Sequence, residues 1–202
     1  MPSGIRPAFA TLWNLDLALA DVVATSSEPA LGAIRLAWWR ERLEELDTGK
    51  PPPGEPRLSA IARQLLSRGV SGEELSRLEE AWLPLLEPFP WDDPQADGLK
   101  LRGRVLFGIG ARLLGGETSD AEMAGEVWSL VDGAEHCSDE QSRIFLVGEA
   151  THALMQLPRT MPRALRPLTV LGALAGYDVW SVGKFGRGGA ALVHRLRGTF
   201  PR

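Results

Sequence analysis

The chain has 202 residues, of which 44% are hydrophobic, and a net charge of −4. This length and composition predict one folded domain over residues 1–202 and exclude a disordered or fibrous chain. The single cysteine, Cys137, excludes an internal disulfide framework, and no apolar run reaches the ~20 residues of a membrane span.

Helical periodicity and helix caps predict an all-α fold. Three capping boxes mark helix starts: Ser71-x-x-Glu74, Ser119-x-x-Glu122 and Ser138-x-x-Gln141. The alternating Val, Ile and Thr stretches that would indicate strands are lacking. The predicted helices span about 7–24, 29–47, 57–68, 72–87, 99–114, 120–137, 139–156 and 162–178, with a short ninth near 189–197.

The first predicted helix carries a carboxylate in its apolar face. With Leu12 as origin, Phe9 lies at ~60° and Asp16 at ~40° on a helical wheel. Asp21, at ~180°, is expected to face solvent. Because Asp16 and Asp21 interrupt the apolar N-terminal stretch, we expect no secretory signal and a cytoplasmic protein.

The second predicted helix combines apolar residues with arginines on one side. Leu31, Ile34, Trp38 and Leu46 recur at helical spacing, and we expect this side to be buried together with Trp39. Arg35 and Arg42 lie within ~40° of Leu31, so both guanidinium groups are expected beside the tryptophans. Two interpretations stay open: the arginines reach solvent along the rings, or they pair with buried acids.

The sixth predicted helix repeats the pattern of an acid within an apolar arc. With Val127 as origin, Glu135 lies at ~80°, inside the arc, and we expect it to be buried. Asp132, His136 and Glu140 fall on the opposite side and are expected to be solvated. Their i, i+4 spacing would suit a metal ion, but the solvent-facing position favours ordinary surface charges.

The C-terminal part of the chain is basic. After Leu157 there are eight Lys or Arg residues and one acid, Asp178, hence a charge of +7, whereas the preceding part carries −11. The basic residues are Arg159, Arg163, Arg166, Lys184, Arg187, Arg195, Arg197 and Arg202. Either the two parts neutralise each other, or the segment forms a basic surface for diphosphates, anionic lipid or an acidic partner, with peripheral membrane contact. No aromatic ladder accompanies it, so we expect no nucleic acid partner.

The order EP-x-L-G-x-I-R-L-x-W-W-R-x-x-L-E-x-L, followed by a proline-rich break, runs from Glu28 to Pro53. It resembles the squalene/phytoene synthase family, specifically a divergent branch that includes mitochondrial complex I assembly factors. The stretches LWNLDLALADVV and GEVWSLVDGAEHCSDE resemble the two aspartate-rich helices of that family. The resemblance covers roughly Ala8 to Gly198 and implies the isoprenoid synthase fold, a single helical bundle.

Active members of that family hold Mg²⁺ on two aspartate clusters, one on each helix. Ungapped alignment places the matching positions on Ala20, Asp21, Ala24, His136 and Glu140. A shifted alignment of the second motif places it on Asp132 and Glu135. In both alignments the set of oxygen ligands is incomplete, so the resemblance implies a protein without a metal cofactor.

The resemblance therefore implies a non-catalytic binding, accessory or assembly protein with an isoprenoid-like or lipid-like ligand or a protein partner. The alternative is a Mg²⁺-dependent prenyl-diphosphate transferase of isoprenoid biosynthesis. A further hypothesis concerns the bundle cavity, where an ion-pair network would replace the metal. Its expected members, with the flanking tryptophans, are Asp16, Arg35, Trp38, Trp39, Arg42 and Glu135.

Overall fold

A computed structural model describes residues 3–52, 54–180 and 186–201. In these ranges the chain forms nine α-helices and three short 3₁₀ helices, with no strand, so the all-α prediction is confirmed. The helices are α1 Arg6–Thr25, α2 Pro29–Leu46, α3 Pro56–Gln64, α4 Gly72–Trp82, α5 Asp93–Leu113, α6 Ser119–His136, α7 Glu140–Gln156, α8 Arg166–Trp180 and α9 Gly186–Arg197. Pro53 of the family-like motif and the basic residues Lys184 and Arg202 lie outside the described residues.

The chain divides into two compact units, Met1–Pro88 and Phe89–Arg202, and each is described by itself. The isoprenoid synthase bundle and the single domain over residues 1–202 stay predictions.

The N-cap serine of one of the three predicted capping boxes is confirmed. Ser71 Oγ accepts a hydrogen bond from the backbone N–H of Glu74 at 3.1 Å. The other two are wrong, because α6 has Thr118 at its N-cap and α7 has Asp139, each beside the predicted serine. Asp139 accepts from the N–H of Ser142 at 2.8 Å, and this carboxylate takes the role expected of a serine hydroxyl.

Helix α5 begins at Asp93, six residues before its predicted start. Asp92 and Gln95 form a reciprocal capping box, in which the N–H of Asp92 donates to Gln95 Oε1 at 3.0 Å. Pro94 lies in the first turn, where its missing N–H costs no helical hydrogen bond.

In the first unit, α2 packs mainly on α4, and α1 packs mainly on α3. The Asp47 carboxylate joins the end of α2 to the start of α4, since it accepts from the N–H groups of Gly72 at 2.7 Å and Glu73 at 2.9 Å. The two helices nearly touch there, because a Cβ on Gly72 would lie 1.9 Å from the carbonyl oxygen of Leu43. These contacts hold the C-terminal end of α2 against the N-terminal end of α4.

In the second unit, α5 and α6 form the closest helix pair. A Cβ on Gly103 of α5 would lie 2.2 Å from the carbonyl oxygen of Gly125 on α6. Helices α7 and α8 pack on α6, and α9 packs on α8. Because two glycines meet at the crossing, the backbones of α5 and α6 lie close together, and neighbouring side chains can bond from one helix to the other.

Helix α1, with the turn before it, is long and apolar enough to span a membrane by length and composition alone, over Ser3–Thr25. It is the one such helix within the described ranges, and the sequence analysis had counted no such run. Half of this apolar window is buried in the fold. The cytoplasmic location stays a prediction.

Candidate functional site

Asp16 is the buried carboxylate that the sequence predicted. It is 1% exposed, and Asp16 Oδ1 accepts a hydrogen bond from the indole Nε1 of Trp82 at 2.9 Å. Helix α1 therefore does bury a carboxylate among apolar residues, and a partner for it comes from α4. An indole N–H satisfies an oxygen without adding a charge.

The predicted buried side of α2 is wrong for three of its residues, whereas Trp39 and Leu46 are buried as expected. Leu31, Ile34 and Trp38 are exposed. The buried residues are Gly32, Leu36, Trp39, Leu43 and Leu46, centred ~100° away on the wheel. Apolar residues occur nearly all round this helix, so periodicity alone did not select the side that packs on α4. The exposed side carries three large apolar residues at helical spacing, a feature typical of interaction surfaces.

The two arginines of α2 have partners other than Asp16. Arg35 is exposed, and its guanidinium donates to Thr25 Oγ1 at 3.1 Å and to Ser26 Oγ at 3.3 Å. Arg42 pairs with Glu45 on its own helix at 2.9 Å. The expected pairing of these arginines with Asp16 is therefore wrong. Neither arginine pairs with a buried acid: Arg35 reaches solvent, and Arg42 pairs with an acid of its own helix.

Glu135 is exposed, so the prediction of a buried acid on α6 is wrong. It belongs to the second unit and lines a pocket of about 520 Å³ between the end of α6, the start of α7 and the end of α8. His136 and Glu140 are exposed as expected, and Glu140 pairs with Arg143. His136 Nδ1 lies 2.7 Å from the carbonyl oxygen of Asp132.

The expectation that Asp132 is solvated holds only in part, because its side chain is 27% exposed but its carboxylate pairs with a buried arginine of α5. Arg102 is 5% exposed, and its Nη1 lies 2.7 Å from Asp132 Oδ2. The same guanidinium lies 3.4 Å from Ser129 Oγ and 4.6 Å from the centre of the Trp128 ring. The cation is therefore held by a carboxylate, a hydroxyl and an aromatic face, all from α6.

Arg102 was missed by the sequence analysis, although a helical wheel of α5 would have found it. With Arg102 as origin, Leu99 lies at ~60°, Val105 at ~300°, Leu106 at ~40° and Ile109 at ~340°. A guanidinium in the middle of an apolar face requires a partner.

Two further ion pairs flank the α5–α6 crossing. Arg104 lies 2.6 Å from Glu126, and Lys100 lies 2.6 Å from Glu149 of α7. Burial lowers the pKa of Lys100, but the hydrogen bond and charge of Glu149, together with the charge of Asp97, outweigh it and raise that pKa above its usual value. The basic residues of α5 thus neutralise acids on both neighbouring helices.

The pocket of the second unit combines apolar walls with carboxylates. Val131, Ala134, Val147 and Val179 form its walls, and its polar residues include Cys137 and Asp178. Burial raises the pKa of Asp178, and the nearby Arg187 guanidinium, at 3.2 Å, partly offsets this increase. Two of its carboxylates, those of Glu140 and Asp178, already have cationic partners.

The positions that match the family's metal motifs do not fit a Mg²⁺ site. Ala20 and Ala24 offer no oxygen ligand, and Asp21 is exposed between them. In the shifted alignment of the second motif, Asp132 is already bound by the Arg102 guanidinium. Across the described part of the chain, no group of three His, Cys, Asp or Glu side chains is placed to hold a metal ion.

The first basic side chains after Leu157 lie in a loop and not on a helix. Arg159 and Arg163 are exposed and precede α8, which begins at Arg166. Arg166 is turned toward the C-terminal segment, where its Nη1 donates to the carbonyl oxygen of Leu196 at 2.7 Å. The segment stays basic at its surface, but its cations come from a loop and from α9.

No family model, no curated protein and no solved structure matches this chain. The likeness to squalene/phytoene synthases therefore stays a resemblance of the quoted motifs.

Proposed function

We propose that this chain is a non-catalytic protein with a squalene/phytoene synthase-like bundle, and that it acts by binding, as an accessory or assembly factor. The observation that carries the proposal is the Arg102–Asp132 ion pair. In the shifted alignment of the second family-like motif, this pair gives the acid Asp132 an internal counter-ion. A carboxylate that is neutralised in this way is a poor ligand for Mg²⁺, because the metal would first have to displace the guanidinium.

The first family-like motif supports the same proposal from the other unit. Ala20 and Ala24 replace two of its expected acids, and the buried Asp16 accepts from Trp82. The side of α2 that carries the family-like sequence exposes Leu31, Ile34 and Trp38. Exposed apolar stripes of this kind mark surfaces that contact other molecules.

The test is turnover. The purified chain is incubated with Mg²⁺ and labelled farnesyl or geranylgeranyl diphosphate, with a working squalene synthase as positive control. We expect no prenyl product above the protein-free background. Formation of a head-to-head product would overturn the proposal in favour of the Mg²⁺-dependent prenyl-diphosphate transferase.

The binding arm uses farnesol and farnesyl diphosphate as probes, each with and without Mg²⁺. Binding of both probes without a Mg²⁺ requirement would support an isoprenoid-like ligand. Absence of binding would restrict the proposal to a protein partner. A strict requirement for Mg²⁺ would contradict it, because the described donor groups do not fit that ion.

A further inference from the structure

Helix α9 is amphipathic, yet its polar side attaches it to the fold. His194 is fully buried, with its Nε2 2.9 Å from Thr169 Oγ1 on α8 and its Nδ1 3.0 Å from the carbonyl oxygen of Thr199. The large apolar side chains of the helix are exposed instead: Leu192 by 57%, Val193 by 40% and Leu196 by 68%. A surface helix of a globular protein usually has the opposite orientation.

Hydrogen bonds at the end of α9 fix this orientation. The N–H of Gly198 donates to the carbonyl oxygen of His194 at 2.7 Å, and the N–H of Met161 donates to that of Gly198 at 2.8 Å. Arg166 donates to the carbonyl oxygen of Leu196 at 2.7 Å and so caps the helix. Turning the apolar side inward would break the bonds from Met161 and Arg166 and would expose the buried imidazole.

Arginines border the outward apolar arc on both sides. With Leu192 as origin, Leu196 lies at ~40° and Val193 at ~100° on the wheel. Arg195 lies at ~300° and Arg197 at ~140°, and both are exposed. An apolar arc between two basic borders is the pattern of a helix that lies in the plane of a membrane surface.

The surroundings of α9 are also basic. Arg159 and Arg163 are exposed, and the only acid after Leu157 in the sequence, Asp178, lies 3.2 Å from Arg187. The acid is therefore neutralised locally. The charge of this segment complements an anionic surface.

We propose that the outward face of α9 binds the surface of an anionic phospholipid bilayer, with its apolar side chains among the upper acyl chains and its arginines at the phosphates. Three partly exposed apolar residues give only weak, reversible binding, so each arginine contributes a necessary share. A second copy of this chain on the same face would bring like charges together and is disfavoured. This proposal goes beyond the proposed function and does not depend on the result of the turnover test.

The experiment is co-sedimentation of the intact chain with vesicles of phosphatidylcholine alone and with roughly 30% phosphatidylserine. We expect binding to the anionic vesicles only, weakening as salt rises from ~50 to ~150 mM. Arg195→Gln/Arg197→Gln should weaken this binding about 20- to 30-fold. Leu192→Asn/Leu196→Asn should weaken it about tenfold or more.

Ile144→Asn is the matched control, since Ile144 on α7 is 63% exposed and lies outside the proposed face. It should bind as the unchanged chain does, and circular dichroism should show that all variants keep the fold. Equal binding to neutral vesicles, no binding at all, or full binding by both double variants would overturn the proposal. A dimer that Leu192→Asn/Leu196→Asn dissociates would assign the face to a second copy. The face would be assigned to an acidic protein by a different pair of results. Arg195→Gln/Arg197→Gln would then lose binding equally to vesicles and to soluble polyglutamate, and Leu192→Asn/Leu196→Asn would bind both as the unchanged chain does.

Discussion

The Arg102 guanidinium of α5 lies 2.7 Å from the Asp132 carboxylate of α6, on the two helices that also meet at Gly103 and Gly125. Arg102 is 5% exposed, whereas the side chain of Asp132 is 27% exposed. The arginine therefore bears most of the desolvation, and the aspartate keeps some access to water. This asymmetry predicts that the two single variants will differ in their cost.

Asp132→Leu should destabilise the protein by about 3 kcal/mol or more, because it leaves a buried guanidinium without its carboxylate. Arg102→Met should cost less, since water can reach the remaining carboxylate. The double variant should recover part of the loss, with a coupling energy of about 2 kcal/mol in urea unfolding. The exposed Arg143–Glu140 pair is the control and should give less than about 1 kcal/mol. Equal couplings for the two pairs would contradict the burial of Arg102.

A second prediction concerns the glycines at the α5–α6 crossing. Gly103→Ala should destabilise the protein by about 1 to 3 kcal/mol, because the new methyl would lie 2.2 Å from the Gly125 carbonyl oxygen and force the helices apart. Gly148→Ala on α7 is the matched control, since a Cβ there meets nothing within 4 Å. It should stabilise the protein by up to about 1 kcal/mol through helix propensity. Thermal unfolding of both variants tests the prediction, and a stabilised Gly103→Ala variant would refute the close crossing.

The helices were largely predictable, because their periodicity is a local property; their N-caps were less so, since Thr118 and Asp139 took the places expected of neighbouring serines. Asp16 was predictable for the same reason, since one polar residue in a clean apolar face stands out on a wheel. The face of α2 was not, because its apolar residues surround the axis and only the packing on α4 chooses among them. Arg42 shows the consequence, since its expected buried acid was replaced by Glu45 on the same helix.

Helix α9 shows why amphipathicity does not always predict burial. Its wheel would place Leu192 and Leu196 inside and His194 outside, yet the structure has the reverse. The burial of His194 depends on two hydrogen bonds of its imidazole, one with the Thr169 hydroxyl and one with the Thr199 carbonyl oxygen. Partners from other segments cannot be identified from the sequence of one helix.

A third prediction tests whether Asp16 is coupled to Trp82, as the structure shows, or to Arg35, as the sequence suggested. Trp82→Phe should destabilise the protein by about 1.5 to 3 kcal/mol, because it removes an N–H donor from a buried carboxylate. Asp16→Leu and Trp82→Phe should be strongly non-additive in urea unfolding. Asp16→Leu and Arg35→Leu should add within about 0.5 kcal/mol, since Arg35 bonds to Thr25. Coupling between Asp16 and Arg35 would restore the ion-pair network that the sequence suggested.

The last prediction is a pH dependence set by His194. Burial lowers the pKa of this imidazole, the hydrogen bond to Thr199 partly offsets that effect, and the nearby Arg166 charge lowers the pKa further. The Thr199 carbonyl only accepts, so Nδ1 carries the proton of the neutral ring and Nε2 accepts from the Thr169 hydroxyl. A second proton on Nε2 would force that hydroxyl to turn toward the Leu165 carbonyl, which lies 3.2 Å away.

Because the folded-state pKa lies below the unfolded value of about 6.5, the unfolded chain binds the extra proton first. The stability contributed by neutral His194 is therefore complete above about pH 6.5 and is lost as the pH falls from there through the folded-state pKa, by at most ~1.4 kcal/mol per pH unit. Urea midpoints between about pH 7.5 and 5 should show this loss, and His194→Gln should flatten it. His152→Gln, at an exposed position on α7, should keep the full slope. An unchanged slope in His194→Gln would mean that another group titrates in this range, and the buried neutral imidazole would not be the pH-sensitive element of this unit.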